Sequence, residues 1–518
     1  MKRGNDSLRN ILASVPAGGD GAEIGVHKGD ATGILRDVLR PASLALIDPW
    51  VNDPRYASRP FACKSTDADL AAARASLQSE LAGKAGVSFF QGRSETVLPG
   101  LADHSLDWIY LDGCKYYPEL MNDLELALDK LRPGGVLLGG GLNWAAQLGY
   151  PVRAALNDIA ARLPAGHEVI RDGDHFLLRP GPGAQLSPRP EKHSFLVIST
   201  MKNEAPFILE WVAHYRALGF SDFLIYTNDC DDTTVPLLER LQARGLVRHE
   251  ENRVLRRGPH KSALKYAQDH VLTAKAAWLL ICDVDEFLNI RTGAATFPDF
   301  IAQLGGETDA VPFPWQVFGT DGTDAFVDAP ITEQFTACEA SPRQGGERMR
   351  AVKSAFRTPE RIRRFGLHRP RVAEGAELVW RAPDGTDISD RMNTGSGWTL
   401  PWKRGADSAC MNHYPLRSVQ AYIVKKHRGR ANHVNEDLGR DYFDRWNLND
   451  SRDDSIAAFR PAMRAELDRL LADAETRDLH AQGVAQFHAR FEELMTRPAY
   501  RALYDRLRAG IGETPQER

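Results

Sequence analysis

Two α/β modules in series, followed by a helical C-terminal segment, is the architecture that this 518-residue sequence predicts. Three observations carry it. Short apolar runs alternate with helical stretches through residues 1–180, a stretch with four prolines (RPGPGAQLSPRPEK, 179–192) interrupts the pattern, and the alternation restarts with SFLVIST. Such alternation marks a mostly parallel sheet covered by helices, and a chain of this length exceeds one ordinary core. The predicted divisions are a first module over 1–180, a linker over 181–192, a second module over 193–450 and a helical segment with alternating charges over 451–518.

Composition narrows the function classes. The chain is 43% hydrophobic and 26% charged with a formal net charge of −4, which argues against a nucleic-acid partner held by bulk charge. The six cysteines stand singly, without the short spacing of a zinc site or disulfide framework, as suits a reducing compartment. The first 26 residues lack the apolar core of a signal peptide, and no run approaches about 18 apolar residues. The expected location is cytoplasmic, with no membrane span; peripheral contact at the inner membrane remains compatible with it.

In the first module AEIGV, LALID, VSFFQG, LDWIYLDG and GGVLLGG read as strands, with helices over 69–83 and 117–131. GAEIGVHKGDATGILRDVL places a strand over 22–26, a turn bearing Gly25 and Gly29, and a helix capped by Asp30 or Thr32. Glycine lets backbone approach a ligand, and free N–H groups at a helix start favour an anionic group. The next strand ends in Asp48, placed either to accept the hydroxyls of a ribose or to cap a tight turn.

The second module opens with SFLVIST, a helix over about 206–218, DFLIYTN and a helix over about 233–243. AAWLLICDVDEFLNI, 276–290, then runs from a buried strand into three acids. If the strand continues, Asp283 and Asp285 project from one side. Two carboxylates so placed repel unless a cation sits between them, and an oxygen-rich pair suits Mg²⁺ or Mn²⁺; the other reading is a loop whose acids cap a helix. Ligands of open α/β sheets bind beyond the carboxyl ends of the strands, so Glu204, Asn228, Asp231, Asp283 and Asp285 are expected in one crevice.

The order of pieces in the first module, EIGVHKGDAT, LALID, GRSE, DWIYLDG and LRPGGVL, resembles the class I S-adenosylmethionine-dependent methyltransferases, a Rossmann-like fold, over about 18–180. That resemblance implies S-adenosylmethionine (SAM) lined by Glu23, Gly25, Gly29, Asp48 and Ser94, with Asp112 at the reacting end. Cys114, Lys115 and the GGGLNW stretch replace the acids and histidine with which many relatives bind a metal. Three readings stay open: a cofactor-binding module, a metal-free methyltransferase with Lys115 as base or charge partner, and a degenerate scaffold.

The second module resembles GT-A glycosyltransferases, more narrowly bacterial proteins similar to glycosyltransferase families 2 and 92, over about 193–435. KNEAPFILEWVAHYRALGF, YTNDCDD, DVDEFL, WQVFGTDG, KSAFR, GLH, NHYPLRS and KKHRGR carry the likeness. It implies a DXD motif, Asp283 and Asp285, that binds Mn²⁺ or Mg²⁺ on the diphosphate of a nucleotide-sugar, with His413 completing the shell. Asn203, Glu204, Asn228, Asp231, Lys261, Trp315, Lys425 and Arg428 are the implied contacts to donor and acceptor, and Arg430 is a further one. An inverting transfer also needs a carboxylate base, for which Asp321, Asp324 and Glu286 stand open.

The expected whole is a bifunctional enzyme of surface polysaccharide biosynthesis. One module transfers a sugar from a UDP-sugar, or a GDP-sugar, to a glycan or lipid-linked glycan, and the other methylates a hydroxyl of that glycan. The competing expectations are a glycosyltransferase on an inactive methyltransferase-like scaffold and a non-catalytic binder of nucleotide-sugars or glycans.

Overall fold

The computed structural model describes residues 2–340, 349–357, 361–394, 398–401, 405–429 and 439–510. Arg430 and the last eight residues, 511–518, lie outside them. The chain forms two compact units, Met1–Glu191 with Asp269–Ala274, and Lys192–Gln268 with Lys275–Arg518.

The first unit is built on a seven-stranded sheet: β1 (Asp20–Ile24), β2 (Ser43–Asp48), β3 (Val87–Gln91), β4 (Leu106–Leu111), β5 (Leu131–Gly140), β6 (Glu168–Asp172) and β7 (His175–Arg179), in the order β3-β2-β1-β4-β5-β7-β6. The first five run parallel, and β7 enters antiparallel between β5 and β6. Strand β4 is buried along almost its whole length, as expected of a strand covered on both faces. The order reverses between β1 and β4, the switch point at which an open sheet leaves a crevice beyond its strand ends.

One local expectation is corrected. The helix Asp30–Leu39 is capped by Gly29 with no side-chain cap, neither Asp30 nor Thr32 serving; the Thr32 hydroxyl instead donates to Glu23 Oε2 at 2.6 Å. The proline-rich segment is also fastened down: Ser187 N–H donates to the Arg162 carbonyl, Arg189 pairs with Glu125, and Ala184 and Leu186 pack on the core of the first unit.

The second unit centres on a nine-stranded sheet. Its parallel part comprises β8 (Ser194–Met201), β9 (Asp222–Thr227), β10 (Arg248–Glu251) and β11 (Ala276–Ile281). Strand Met349–Phe356 joins antiparallel to both β11 and β13 (Ala310–Val317), and Ala409–His413 lies between β13 and β12 (Glu286–Ile290). Of the two readings of 276–290, the strand does not continue through the acids: β11 stops at Ile281 and a turn holds Val284 and Asp285 before β12 begins. Beneath the turn runs the helix Ile208–Ala217, whose Trp211, His214 and Tyr215 are shut off from solvent. The C-terminal helices Arg460–Leu471, Ala474–Met495 and Pro498–Gly510 pack on this unit, against the helices Ile208–Ala217, Thr234–Ala243 and Val419–Arg428.

Candidate active sites

Beyond the ends of β1, β2 and β4 the first unit encloses a cavity of about 730 Å³. Glu23, Gly25, Asp48, Ser94 and Asp112 all lie on its wall. Gly25 adopts φ 85°, and a Cβ there would stand 2.3 Å from Gly113 N, so only glycine lets the β1 and β4 turns meet. Gly29 is not on the wall; it packs against Leu77 at the start of its helix. Asp48 accepts the His27 and Trp50 N–H groups at 2.9 and 2.6 Å, one on each oxygen, which orients the carboxylate and leaves each oxygen a further acceptor site. Glu23 is buried, and burial pushes its carboxyl up to about 8. Ser94 donates to Asp123, whose carboxyl burial likewise raises to about 7.

Lys115 is the site residue whose setting the sequence left most open. Its Nζ lies 2.6 Å from Asp112 Oδ1, and its stem lies so close to Gly141 that a Cβ there would come within 2.9 Å of Lys115 Cε. Gly140 faces the His175 ring and the Tyr110 hydroxyl in the same way. The glycines that stand where relatives carry an acid thus leave room for Lys115 and His175. Tyr56, Phe61, Tyr116 and Trp144 add an aromatic wall, with Tyr56 stacked on Tyr116 at 5.6 Å and Trp144 edge-on to Phe61 at 5.5 Å.

In the second unit the acid turn is held from below. Trp211 Nε1 donates to the Asp283 carbonyl at 3.1 Å, and the Tyr215 hydroxyl donates to the Glu286 carbonyl at 3.0 Å. Two lysines flank the aspartates. Lys353 Nζ lies 3.2 Å from Asp283 Oδ2 and 3.1 Å from Glu286 Oε2, and Lys425 Nζ lies 2.7 Å from Asp285 Oδ2. A histidine faces the other oxygen of each: His260 Nε2 is 4.0 Å from Asp283 Oδ1, and His413 Nε2 is 3.9 Å from Asp285 Oδ1.

Charge follows from these distances. Burial works against the Asp283 and Asp285 carboxylates, but Lys353 and Lys425 outweigh it and hold both below the usual range. Burial pushes Glu286 up to about 8 and His413 down to about 4, so His413 is a neutral imidazole near pH 7. Burial also opposes the charge on Lys353, yet Asp283 and Glu286 keep it firmly protonated.

Residues 22–140 match the family model described as a methyltransferase domain, and 195–384 match that of glycosyltransferase family 92. The two matched stretches lie in series along the chain. A glycosyltransferase family 92 protein of Ricinus communis is 29% identical over 133 residues, which are 24% of this chain and 22% of that relative. The chain thus covers about a fifth of the length of the curated relative it matches. Among solved structures, the O-methyltransferase TomG of Streptomyces achromogenes, in complex with SAM, is 20% identical over 35% of this chain and 80% of that one, with a TM-score of 0.25. An O-methyltransferase family protein of Burkholderia thailandensis is 14% identical over 35% of this chain and 56% of that one, with a TM-score of 0.25.

Within the glycosyltransferase domain the expected crevice residues fall into linked groups. Glu204 is buried between Arg417, at 3.2 Å, and Arg428, whose guanidinium also donates to the Lys202 carbonyl at 2.8 Å. Lys425 and Arg428 sit three apart on the helix Val419–Arg428, so one helix face reaches both Asp285 and Glu204. Asn203 and Asp231 exchange hydrogen bonds, and Arg490 Nη2 lies 2.9 Å from Asp231. Asn228 accepts from Asn252 at 3.5 Å, and Lys261 is exposed on the helix Pro259–Gln268. Trp315 stacks tilted on His413 with ring centres 4.3 Å apart, beside Trp446 and His368.

The expected bases are engaged elsewhere. Asp321 is gripped by Arg452 at 2.9 Å and accepts from Thr336, while Asp324 accepts from Tyr504 at 2.9 Å and faces Arg508. Glu286 is fully buried, accepting the Asp283 N–H and facing Lys353, which closes it to an acceptor hydroxyl and makes it a support of the turn. The sequence reading missed Lys353, Arg417, Trp211, Tyr215 and Trp446; Lys353 lay inside the quoted KSAFR motif, but nothing local ties it to the acids.

The expected cation fares poorly on its donors. Among the described residues no three His, Cys, Asp or Glu side chains are grouped so as to hold a metal ion, and each aspartate already meets an ammonium group. With an ammonium group on each carboxylate, Asp283 and Asp285 do not fit a hard cation, which even when substrate phosphates and waters complete its shell needs one or two free carboxylates.

Proposed function

We propose that this chain is a bifunctional transferase. Its glycosyltransferase domain moves a sugar from a nucleotide-sugar, UDP-linked in preference to GDP-linked, to a hydroxyl of a glycan or lipid-linked glycan in surface polysaccharide biosynthesis. Its methyltransferase domain passes a methyl group from SAM to a hydroxyl of that glycan. The observation that carries the reading is the turn bearing Asp283 and Asp285 at the carboxyl end of β11, flanked by Lys353 and Lys425.

In the sugar transfer, the bond between the anomeric carbon and the diphosphate oxygen breaks and its electron pair leaves with the diphosphate. The acceptor oxygen bonds the same carbon from the opposite face, inverting it, and its proton passes to a general base, a role for which Asp321, Asp324 and Glu286 are not free. Lysine and arginine meet the growing phosphate charge, and the exposed edge of the Trp315 and Trp398 cluster, in which Trp398 is 48% exposed, offers a face for a sugar ring. No step is routed through a divalent cation.

In the methyltransferase domain Glu23, Asp48 and Ser94 would hold the cofactor, which supplies an electrophilic methyl group when bound. Asp112 accepts the acceptor hydroxyl's proton, and Lys115 beside it stabilises the oxygen that results. Among the described residues no helix is long and apolar enough to cross a membrane.

A thermal-shift and hydrolysis screen of UDP-, GDP- and dTDP-sugars beside SAM, on the wild type and Asp285→Ala, tests the reading. Stabilisation by one nucleotide-sugar that disappears in Asp285→Ala supports it. Response to SAM alone would move the chemistry to the first domain and leave the acid turn as structure.

A further inference from the structure

We propose that Lys425, backed by Lys353, supplies the positive charge that a divalent cation would otherwise bring to the donor diphosphate, so that the glycosyltransferase domain binds its donor without metal. The inference rests on the nucleotide-sugar reading above and concerns how that site holds its ligand.

Both lysines are built into the fold. Lys353 projects from the strand Met349–Phe356, and its side chain is only 1% exposed while it touches Asp283 and Glu286. A buried ammonium group persists only where carboxylates compensate it, which makes it a fixed charge of the site. Lys425 lies near the end of the helix Val419–Arg428, whose start is set by the Ser418 hydroxyl accepting the Ala421 N–H at 3.2 Å. Its Nζ also donates to the Pro415 carbonyl at 2.7 Å, so two contacts hold it on Asp285. The side chain is 14% exposed, so Lys425 is not shut off from solvent as Lys353 is.

The neighbouring charges point the same way. Asp283, Asp285 and Glu204 face four cationic side chains, Lys353, Lys425, Arg417 and Arg428, with Glu286 buried against Lys353. Ammonium groups seated on both aspartates compete with a divalent cation there and attract a diphosphate, and in this sheltered setting such interactions exceed their strength in water. Arginine and lysine donors to phosphate oxygens are strong charge-assisted hydrogen bonds.

Calorimetric titration of the full chain with UDP and with GDP, in EDTA and in Mn²⁺, tests this. One nucleotide is expected to bind in EDTA within about threefold of its affinity in Mn²⁺. Lys425→Ala is expected to weaken binding in EDTA by about tenfold or more and to recover part of it in Mn²⁺, because Asp285 is then free. Lys425→Gln keeps the hydrogen bond to Asp285 without the charge, so the same loss is expected should the alanine variant fail to fold. Binding that requires Mn²⁺ in the wild type overturns the proposal but keeps the nucleotide-sugar reading. Undiminished binding by a folded Lys425→Gln overturns it as well. Absence of binding by either nucleotide under both conditions removes the nucleotide-sugar reading and the proposal with it.

Discussion

The Trp211 indole N–H donates to the Asp283 carbonyl at 3.1 Å, joining the buried helix Ile208–Ala217 to the turn that carries the acids. Tyr215, one helical turn on, does the same for the Glu286 carbonyl. The acid turn is thus fixed through its backbone.

Trp211→Phe removes the indole donor and leaves the Asp283 carbonyl without that partner. A loss of about 1–3 kcal/mol of stability is expected, with a larger proportional fall in nucleotide affinity than in stability. Urea denaturation and calorimetry on the same variant check both. Equal affinity in wild type and variant would show that the turn is positioned without this contact.

Arg417 lies against Glu204 at 3.2 Å and over the Phe207 ring at 3.6 Å. Arg417→Met keeps much of the volume but removes the charge and the ring contact. About 3 kcal/mol of destabilisation is expected, and adding Glu204→Gln should restore part of it. A double variant no more stable than the single one would show the two residues are not coupled.

Gly25→Ala places a methyl group 2.3 Å from Gly113 N at a positive φ. The β1 and β4 turns must separate, and SAM binding to the methyltransferase domain is expected to fall below detection in calorimetry. Retained binding would mean that the cofactor does not use this edge of the 730 Å³ cavity.

Stability should fall on both sides of neutrality. Burial pushes His214 and His413 down to about 4, so between about 6.5 and 4 the unfolded chain takes up protons that the folded chain refuses; stability is lost as pH falls through that window, by up to about 3 kcal/mol per histidine. Glu286 is pushed up to about 8 by burial, so its contribution is complete below about 4.5 and disappears as pH rises through 8. Denaturation midpoints from pH 4.5 to 8.5 should trace a maximum near neutrality, and Glu286→Gln should flatten the alkaline limb. An unchanged alkaline limb in that variant would assign it to other groups, such as Glu23, which burial also raises to about 8.

Much of the architecture was legible because strand-helix alternation and glycine turns act over short distances. The runs ending in Asp48 and Leu111, the helices near 206–218 and 233–243, and the acid pair all fall where periodicity placed them. The break of the strand at Ile281 was not legible, since an apolar run followed by Val284 suits a continuing strand as well as a turn. The roles of Asp321, Asp324 and Glu286 were equally hidden. Their partners Arg452, Tyr504 and Lys353 stand more than 60 residues away, and no local pattern announces them.

By itself the sequence determined the two α/β modules, the families that each module resembles and the acids at the strand ends, because these follow from local propensity and from motifs read in order. Only the tertiary structure decided what surrounds the acids. Lys353 and Lys425 reach Asp283 and Asp285 from 70 and 140 residues away, and whether a carboxylate pair meets an ammonium group or a cation depends on which side chains the sheet and its helices bring within a few ångströms.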